Sequence, residues 1–517
     1  MDLAAAKTSP IAPAPSADPC DAWSPSPLAL LHPEGAVRAS LVLGSACPPR
    51  LCAPSGEVRD GDCGLIVLSP SATECQASGW LDSAARAVQG RLADDGLVYV
   101  HVPWRWRAKT YRALRERGLQ RRLTMLHAPN WRDTRFVIPL EADAVAYAAS
   151  HLIPLTVRRG RLAAAAAGAP FLRTLVGLYW RPTALLFMRP GAPRVGRWML
   201  DLLSDRAMRG GLVIGATTRQ PQAVVHLVGS AAHLRCIAKL PLSRSVDSAL
   251  EREALLIREH ATAAETAGAS VPNAQIRELP DGRRVFLHRP LEGAPAAILL
   301  ASGRERMETV AMLVTGWLER WNRETVSIRP LEQRLLEREV LDPASIVSPF
   351  IDHGAELIAH LTARCAAVRG KQAPLVASHN DLTMWNVLID PGRSLGILDW
   401  ETARAESLPM LDFSYALADI AAAAARYTDR KRGYEACFGA HGRYTGIAAQ
   451  IERRLRECLG VPPDVAALSF DACWIQHAAN EVRRRGADAP RPFLGIVADR
   501  TRELVTGQAG GPVHAAA

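Results

Sequence analysis

The sequence contains very little lysine and few aromatic side chains, although it is strongly basic. Its 517 residues carry a formal net charge of +10, and Phe, Tyr and Trp together make up 6% of the chain. The lysines are Lys7, Lys109, Lys239, Lys371 and Lys431, so nearly all the basic residues are arginines. These arginines are spread along the chain without a recognition module, so no nucleic-acid partner is predicted. No uninterrupted apolar run is long enough for a transmembrane helix.

Cysteine and glycine are present, but not in the spacings that mark metal or phosphate sites. The ten cysteines include no CxxC pair, and Cys47 and Cys52 have no second pair to match them. We interpret the ten cysteines as reduced thiols of a cytoplasmic protein. There is no GxGxxG and no GxxxxGK[ST], which excludes the usual glycine-rich phosphate cradles. Residues 1–35 lack the pattern of a secretory signal and are rich in Ala, Pro and Ser, which predicts a disordered tail.

The most informative segment begins at His379 and supplies three oxygen-bearing side chains at suggestive spacing. Asp381 is followed by Asn386 five residues later, and Asp399 comes after a predicted hairpin. Taken singly, each of the two aspartates would more often be only solvated at the surface. Phosphoryl transfer needs a positioned hydroxyl and a metal, and magnesium prefers hard oxygen ligands. Together the three side chains predict a phosphoryl-transfer centre in which Asp381 accepts the hydroxyl proton.

The residues between Asn386 and Asp399 predict the hairpin. Two short apolar runs, 387–389 and 395–398, flank the turn-forming residues 390–393. Asp, Pro and Gly in such a stretch favour a tight turn between two strands. The hairpin is expected to bring Asn386 and Asp399 to the same end.

This segment resembles the aminoglycoside phosphotransferase and choline kinase family, which has a protein-kinase-like fold. The family's pattern is His-Gly-Asp-Leu, three variable residues, Asn, and then Asp-Trp-Glu after a hairpin. The matching residues are His379, Asp381, Leu382, Asn386, Asp399, Trp400 and Glu401. The sequence departs from the pattern at Asn380, where the family usually has glycine. Asparagine tolerates left-handed backbone better than most residues.

The resemblance implies roles for the surrounding residues and for the ligands. Asn386 and Asp399 would hold Mg²⁺, and His379 would brace the loop without transferring protons. Asp412, in a Pro-x-x-Asp segment, would give structural support from the start of a helix. The phosphate donor would be ATP, with GTP left open, and the acceptor would be a hydroxyl of an aminoglycoside, amino-alcohol or sugar. Candidate contacts for a cationic acceptor are Glu401, Asp471 and Glu481.

A kinase-like fold also predicts a small lobe upstream, with a lysine on its third strand and a glutamate on the next helix. Lys239 lies in an apolar, β-rich run and is the only lysine between residues 110 and 370. On the predicted helix 246–260, Glu253 lies where the family has the glutamate that holds this lysine against the nucleotide phosphates. Glu251 is the fallback, and a glutamate on a solvated helix face is the structural alternative.

Two further nucleotide-binding segments are predicted mainly from their order along the chain. Residues 215–221 would form the loop that covers the phosphates, with Gly215 and Thr217 as contacts, although regular glycines are missing. Leu291 lies in the polar stop 289–293, which the resemblance implies is the hinge that holds adenine. An ordinary strand-to-helix turn is the alternative for this stretch.

The residues before the kinase-like region show strands alternating with helices, which argues for a parallel α/β sheet. An Asp-led strand at 62–68, a helix and a Gly-led strand at 96–102 loosely resemble the later part of a class I methyltransferase fold. No glycine-rich loop with an acidic ribose partner can be assigned after the first strand. A degenerate or structural domain is therefore expected.

The predicted fold class is α/β plus α+β, with a Rossmann-like domain followed by a two-lobed kinase-like domain. The predicted boundaries are a tail at 1–35, a methyltransferase-like domain with a basic connecting segment at 36–195, a small lobe at 205–293 and a helical large lobe at 294–510. The predicted function is a cytoplasmic, ATP- and Mg-dependent small-molecule kinase. A pseudokinase scaffold that binds a protein partner and a bifunctional protein with a live methyltransferase are the alternatives. Peripheral membrane contact through a basic surface is less favoured, and the oligomeric state is open.

Overall fold

The computed structural model divides into two compact units. Residues 1–251 with 275–288 form the first unit, and residues 252–274 with 289–517 form the second. The described residues are 39–43, 61–102, 104–126, 136–139, 183–193, 198, 202, 210–214, 222–230, 233–241, 247–279, 282–484 and 491–506. The predicted tail, most of the basic connecting segment, and Cys47 and Cys52 lie outside these ranges.

Strands are concentrated in the first unit and helices in the second. The strands, in chain order, are β1 (Ser40–Leu43), β2 (Cys63–Leu68), β3 (Leu92–Val100), β4 (Gln120–Leu126), β5 (Phe136–Pro139), β6 (Thr183–Met188), β7 (Gly210–Ile214), β8 (Gln222–Val228), β9 (Leu234–Pro241), β10 (Ala269–Ser270), β11 (Gln275–Glu278), β12 (Arg284–His288), β13 (Ala294–Pro295), β14 (Ser327–Pro330), β15 (Gln372–Ser378), β16 (Val387–Ile389), β17 (Leu395–Ile397) and β18 (Arg404–Ser407). The helices are α1 (Ala72–Gln76), α2 (Trp80–Arg91), α3 (Arg107–Glu116), α4 (Asp247–Thr266), α5 (Ala296–Ala301), α6 (Met307–Thr325), α7 (Gln333–Leu336), α8 (Asp342–Val347), α9 (Gly354–Val368), α10 (Leu411–Ala424), α11 (Arg430–Phe438), α12 (Thr445–Leu459), α13 (Pro463–Arg484) and α14 (Pro492–Thr506).

The first sheet of the first unit has the strand order β1-β2-β3-β6-β4. Strands β1, β2 and β3 are parallel, whereas β6 runs antiparallel to both of its neighbours. Every residue of β2 is buried, and apolar residues of β2, β3 and α2 share one core that includes Ile66, Val98 and Val88. The predicted α/β sheet is therefore mixed and not purely parallel. The reversed strand β6 comes from far along the chain, and local alternation cannot reveal such a pairing.

The second sheet of the first unit has the order β11-β12-β9-β8-β7-β5, and all of its neighbours are antiparallel. Strand β5 forms one edge and pairs with β7 from Phe136 opposite Val213 to Pro139 opposite Gly210. Since β5 comes from the predicted 36–195 domain, this sheet takes strands from both sides of that predicted boundary. Lys239 lies on the interior strand β9.

Helices pack around two small sheets in the second unit. The order of one sheet is β10-β17-β16-β13, and that of the other is β14-β15-β18. Helix α10 is buried along nearly its whole length and packs against α5, α6, α11 and α13. The approach of α11 is close, because a Cβ at Gly433 would lie 2.6 Å from the Ala418 carbonyl oxygen. A helix so enclosed can fix side chains rigidly.

Two chemical properties of the chain follow from the described residues. Each cysteine that the structure describes is a free thiol. Among the helices of the described ranges, none is long and apolar enough to cross a membrane.

Candidate active site

The hairpin of β16 and β17 brings the two predicted metal ligands together. The strands pair antiparallel, and the turn is fixed by the carboxylate of Asp390, which accepts a 2.8 Å hydrogen bond from the Ser394 N–H. Beyond the paired strands, the Leu398 N–H donates to the Asn386 carbonyl at 2.8 Å. This bond aligns Asn386 with the residue before Asp399, so the two side chains lie at the same end of the hairpin.

Asn386 also contacts the predicted proton acceptor. Its Nδ2 donates to the backbone carbonyl of Asp381 at 2.9 Å and lies 3.5 Å from Asp381 Oδ2. The amide nitrogen is therefore directed at Asp381, which leaves Oδ1 as the acceptor atom of the side chain. Asp381, Asn386 and Asp399 are all partly exposed. Magnesium is usually bound by one or two carboxylates plus substrate phosphates, and Asp399 with Asn386 Oδ1 offers such a set.

Two residues of the site adopt left-handed backbone conformations. Asn380 has φ 61° and Asp399 has φ 64°. Asn and Asp are the non-glycine residues that visit this region most readily. The Asn380 side chain uses its Nδ2 to donate a 3.0 Å hydrogen bond to the Thr402 carbonyl. Asparagine thus takes a φ suited to the family's usual glycine and adds a bond that glycine lacks.

His379 is fully buried and links the loop of residues 379–386, called the catalytic loop below, to the end of the second strand of the hairpin. Its Nε2 lies 2.8 Å from the Leu398 carbonyl, which can only accept, so Nε2 carries the proton. Nδ1 then accepts the more distant N–H of Asp381, at 3.4 Å. The ring also packs edge-on against Trp400 with 5.1 Å between centroids. These contacts hold the two loops in register.

The buried carboxylate of Asp412 holds the start of the catalytic loop. It accepts the backbone N–H of His379 at 2.6 Å and that of Asn380 at 2.7 Å. Burial raises the pKa of Asp412 to about 6, while these two hydrogen bonds and nearby Arg404 act in the lowering direction. Helix α10 begins one residue earlier, so it presents this carboxylate directly to the loop.

Asp419 is a supporting residue that sequence reasoning misses. Its Oδ2 accepts the Met384 N–H and the Tyr427 hydroxyl, both at 2.7 Å, and Oδ1 lies 3.1 Å from Arg430. Burial raises the pKa of Asp419, and these three partners oppose the rise. Asp412 and Asp419 are seven positions apart on α10, a spacing that puts both on one helix face. The seven-residue spacing from Asp412 is the feature of the sequence that could have indicated a role for Asp419.

Two of the three candidate contacts for a cationic acceptor are engaged elsewhere. Asp471 is bonded to Arg364 and Arg500. Glu481 is buried, and its Oε2 accepts two backbone N–H groups at the start of α14, at 2.9 and 3.1 Å. Buried acids are normally paired in this way, since an unpaired buried charge is very costly. Glu401 is partly exposed within the Trp400–Thr402 turn.

The predicted hinge segment packs against the same hairpin. A Cβ at Gly396 on β17 would lie 3.2 Å from Leu291 Cδ1. Gly293 has φ +110°, and a Cβ there would lie 2.7 Å from the Ile389 carbonyl carbon. Glycine is required where backbones approach this closely. Gly215 and Thr217, the predicted phosphate contacts, lie outside the described residues.

Lys239 and Glu253 are both buried. Lys239 faces Phe286 across the sheet, and its Nζ lies 5.7 Å from the ring centroid of that residue. Glu253 lies on α4. The fallback, Glu251, forms an ion pair with Arg284. The pairing of Lys239 with Glu253 stays a prediction.

One family model matches the chain. Residues 222–447 match the family described as the phosphotransferase enzyme family. The match contains Lys239, Asp381, Asn386 and Asp399. It confirms the family predicted for the C-terminal part, and with it the enzyme class that phosphorylates hydroxyl groups. No protein with a curated function matches the chain in sequence.

Several solved structures are distantly similar to this chain. An aminoglycoside phosphotransferase in complex with GDP and kanamycin is 14% identical with a TM-score of 0.38, over 60% of this chain and 97% of that one. An aminoglycoside phosphotransferase from Streptomyces rimosus is 18% identical with a TM-score of 0.32, over 50% of this chain and 90% of that one. A choline/ethanolamine kinase family protein from Mesorhizobium loti is 16% identical with a TM-score of 0.31, over 54% of this chain and 85% of that one.

Proposed function

Because residues 222–447 match the phosphotransferase enzyme family, we propose that this protein is a kinase that transfers the γ-phosphate of ATP to a hydroxyl of a small molecule. The observation that carries the proposal is the contact of Asn386 with Asp381, made from the end of the hairpin that also carries Asp399. One amide thereby connects a proton acceptor to a pair of metal-ligand oxygens. Phosphoryl transfer requires these two functions side by side.

The proposed reaction is a direct in-line transfer. Asp381 orients the acceptor hydroxyl and takes its proton as the O–H bond breaks. The freed oxygen forms the new bond to the γ-phosphorus, and the bond from that phosphorus to ADP breaks. Bound Mg²⁺ would neutralise the phosphate oxygens, with Asp399 and Asn386 as its protein ligands. The protonated Nε2 of His379 donates its hydrogen bond to the Leu398 carbonyl, so His379 only positions the loop and transfers no proton.

The nucleotide contacts belong to the same proposal. Lys239 holds the phosphates, Glu253 positions Lys239, and the segment around Leu291 receives the adenine. Gly215 and Thr217 complete the phosphate contacts from the loop. Support comes from the position of Lys239 on an interior strand and from the packing of Leu291 against the metal-site hairpin.

The test is ADP release and phosphate transfer with the full chain, ATP and Mg²⁺. The acceptor panel contains amino-sugars, sugars, cyclitols and open-chain amino-alcohols, and Asp381→Asn is the control. At least one acceptor is expected to be phosphorylated, and the variant should lose about 10²–10⁴-fold in rate. If no acceptor is phosphorylated and ATP-Mg does not bind, the kinase proposal fails and the protein is better described as a scaffold. Nucleotide binding without any transfer favours the pseudokinase.

For the N-terminal part we propose a Rossmann-like domain of the degenerate methyltransferase type, in a cytoplasmic protein. Its support is an open sheet with three parallel strands and the helix α2 packed into the same core. The free thiols are compatible with a reducing compartment. Calorimetry of the full chain with S-adenosylmethionine should show no heat of binding. A clear heat would favour the bifunctional alternative.

A further inference from the structure

Trp385 is an exposed tryptophan inside the catalytic segment. Between Asp381 and Asn386, the residues Leu382, Thr383 and Met384 are buried, whereas Trp385 is 51% exposed. Its neighbour Asn386 contacts Asp381 directly. A large apolar surface is therefore presented to solvent one residue from the proposed reaction centre.

The Trp385 ring is stacked on a second aromatic ring that is rigidly held. Its centroid lies 6.3 Å from that of Tyr427, with 19° between the ring planes. The Tyr427 hydroxyl donates to Asp419 Oδ2, and the same oxygen accepts the Met384 N–H. One buried carboxylate thus fixes both the ring of Tyr427 and the backbone that carries Trp385.

The backbone at Tyr427 is strained, and contacts with neighbouring residues hold it in that conformation. Arg426 and Tyr427 have φ 60° and 52°, two consecutive non-glycine residues in the left-handed region. The Tyr427 N–H donates to the Ala422 carbonyl at 2.8 Å, and Arg426 Nε donates to the Ala301 carbonyl at 3.2 Å. Strain of this kind persists only where surrounding contacts impose it, and it clusters at ligand sites.

The charge around the aromatic pair argues against a site for small cations. The Arg430 guanidinium lies 5.1 Å from the Tyr427 ring centroid, so a cation already occupies this position. Asp471 and Glu481, which could have attracted an ammonium group, are engaged with internal partners. What the pair offers is a flat apolar face. Such a face can pack against the C–H groups of a saturated ring, which are apolar.

We propose that Trp385, backed by Tyr427, is a stacking platform for the ring of the phosphate acceptor. This inference rests on the proposed kinase function and narrows its substrate. The acceptor is a ring-bearing alcohol of the sugar or cyclitol type, and not an open-chain amino-alcohol. Stacking on Trp385 would bring a ring hydroxyl to Asp381, and Trp385 acts as a specificity-determining residue.

The experiment compares ring and open-chain acceptors with the full chain, ATP and Mg²⁺. Glucose, glucosamine, myo-inositol and kanamycin are set against choline, ethanolamine and homoserine. Trp385→Ala is expected to raise the KM for a ring acceptor about tenfold, because the variant removes the apolar surface on which the ring packs. The kcat for the ring acceptor should fall much less than the KM rises, because Asp381 and the proposed metal ligands are untouched.

Two further variants separate a stacking role from a structural one. Trp385→Phe keeps an aromatic face and should restore most of the acceptor KM. Phe350→Ala is the matched control, because Phe350 is also 51% exposed and carries an arginine over its ring. It should behave like the wild type. Thermal melting of all three variants shows whether they are folded.

Each outcome of this experiment decides the inference. Turnover of a ring acceptor with a raised KM in Trp385→Ala supports it. Turnover of open-chain acceptors alone, or an unchanged KM in Trp385→Ala, overturns it while the kinase function stands. Failure of every ring acceptor overturns it whether or not ATP binds. If ATP-Mg binding and transfer to all acceptors fail together, the proposed kinase function fails as well.

Discussion

The five-stranded sheet of the first unit and the segment 379–399 of the second unit, which carries the proposed catalytic residues, are held by different forces. In the sheet, strand β2 is buried throughout and contributes apolar side chains such as Ile66 to a shared core. The catalytic segment is held by Asp412 and Asp419, buried carboxylates that accept N–H groups of the loop. An apolar core loses stability gradually as volume is removed. A buried carboxylate holds the backbone of the loop in one conformation, and changing that single carboxylate can abolish the conformation.

The largest expected effect falls on the proposed metal ligands, where the loss of activity should occur without a matching loss of stability. Asp399→Asn replaces a charged oxygen ligand with a neutral one, and we expect about a thousandfold loss of kcat/KM, as for several kcal/mol of lost charge stabilisation. Titrating Mg²⁺ in the transfer assay should show a raised requirement for the metal. Asp390→Asn, at the opposite end of the same hairpin, is the control. Equal losses in both variants would contradict the assignment.

Removal of Asp419 should reduce both stability and activity. Asp419→Ala leaves Arg430 without its carboxylate and the Met384 N–H without its acceptor, which should cost about 3–5 kcal/mol of unfolding free energy. Chemical denaturation measures this loss. The matched control is Asp429→Ala, which removes the partly exposed N-cap of α11 and should cost about 1 kcal/mol. A small loss at Asp419 would show that the loop is held by other contacts.

Asp412 should give stability and activity opposite dependences on pH. Its pKa is raised in the folded state from 3.8 to about 6, so the folded protein binds more protons than the unfolded chain between these values. The contribution of this group to stability is therefore full below pH 4 and falls as the pH rises through about 6, by roughly 2–3 kcal/mol. Activity should rise over the same range, because the ionised carboxylate accepts both N–H bonds of the loop.

Denaturation of the wild type and Asp412→Asn at several pH values checks this expectation. The variant should lack this component of the pH dependence and carry a loss of about 1–3 kcal/mol from an unsatisfied N–H. Arg404 and the buried thiol of Cys473 interact electrostatically with Asp412, and both are the same in the two proteins compared. Identical pH slopes in the two proteins would refute the assignment.

The smallest effect is expected in the apolar sheet. Ile66→Val removes one methyl group from the core and should cost about 1 kcal/mol of unfolding free energy. The kcat/KM of the folded enzyme should be unchanged, since no group of the catalytic segment is altered. Loss of activity beyond the unfolded fraction would show that the contrast between the two regions is wrong.

Sequence reasoning is effective where the chemistry is local. Asn386 and Asp399 flank one hairpin, so turn residues and two apolar runs are enough to predict that their side chains lie at one end, and Asp381 lies only five residues before Asn386. The strand that carries Lys239 is likewise visible as an apolar run. These features depend on neighbouring residues along the chain.

Features that depend on distant residues could not be predicted in the same way. Asp419 meets Met384 across 35 positions, and only the fold brings them together. The sequence does not distinguish Asp471 and Glu481, which bind internal partners, from Glu401, which is partly exposed. The antiparallel insertion of β6 is likewise set by long-range pairing, which local alternation does not encode.

Strand β5 has a consequence for any attempt to study the two predicted domains apart. It supplies the edge of the sheet that contains Lys239, although it lies before residue 150. Deleting residues 1–200 would remove β5 and leave β7 with a row of unpaired N–H and C=O groups. Such an open edge recruits strands from other molecules. Separate expression of the kinase-like part should therefore yield self-associating material unless its sequence begins before Phe136.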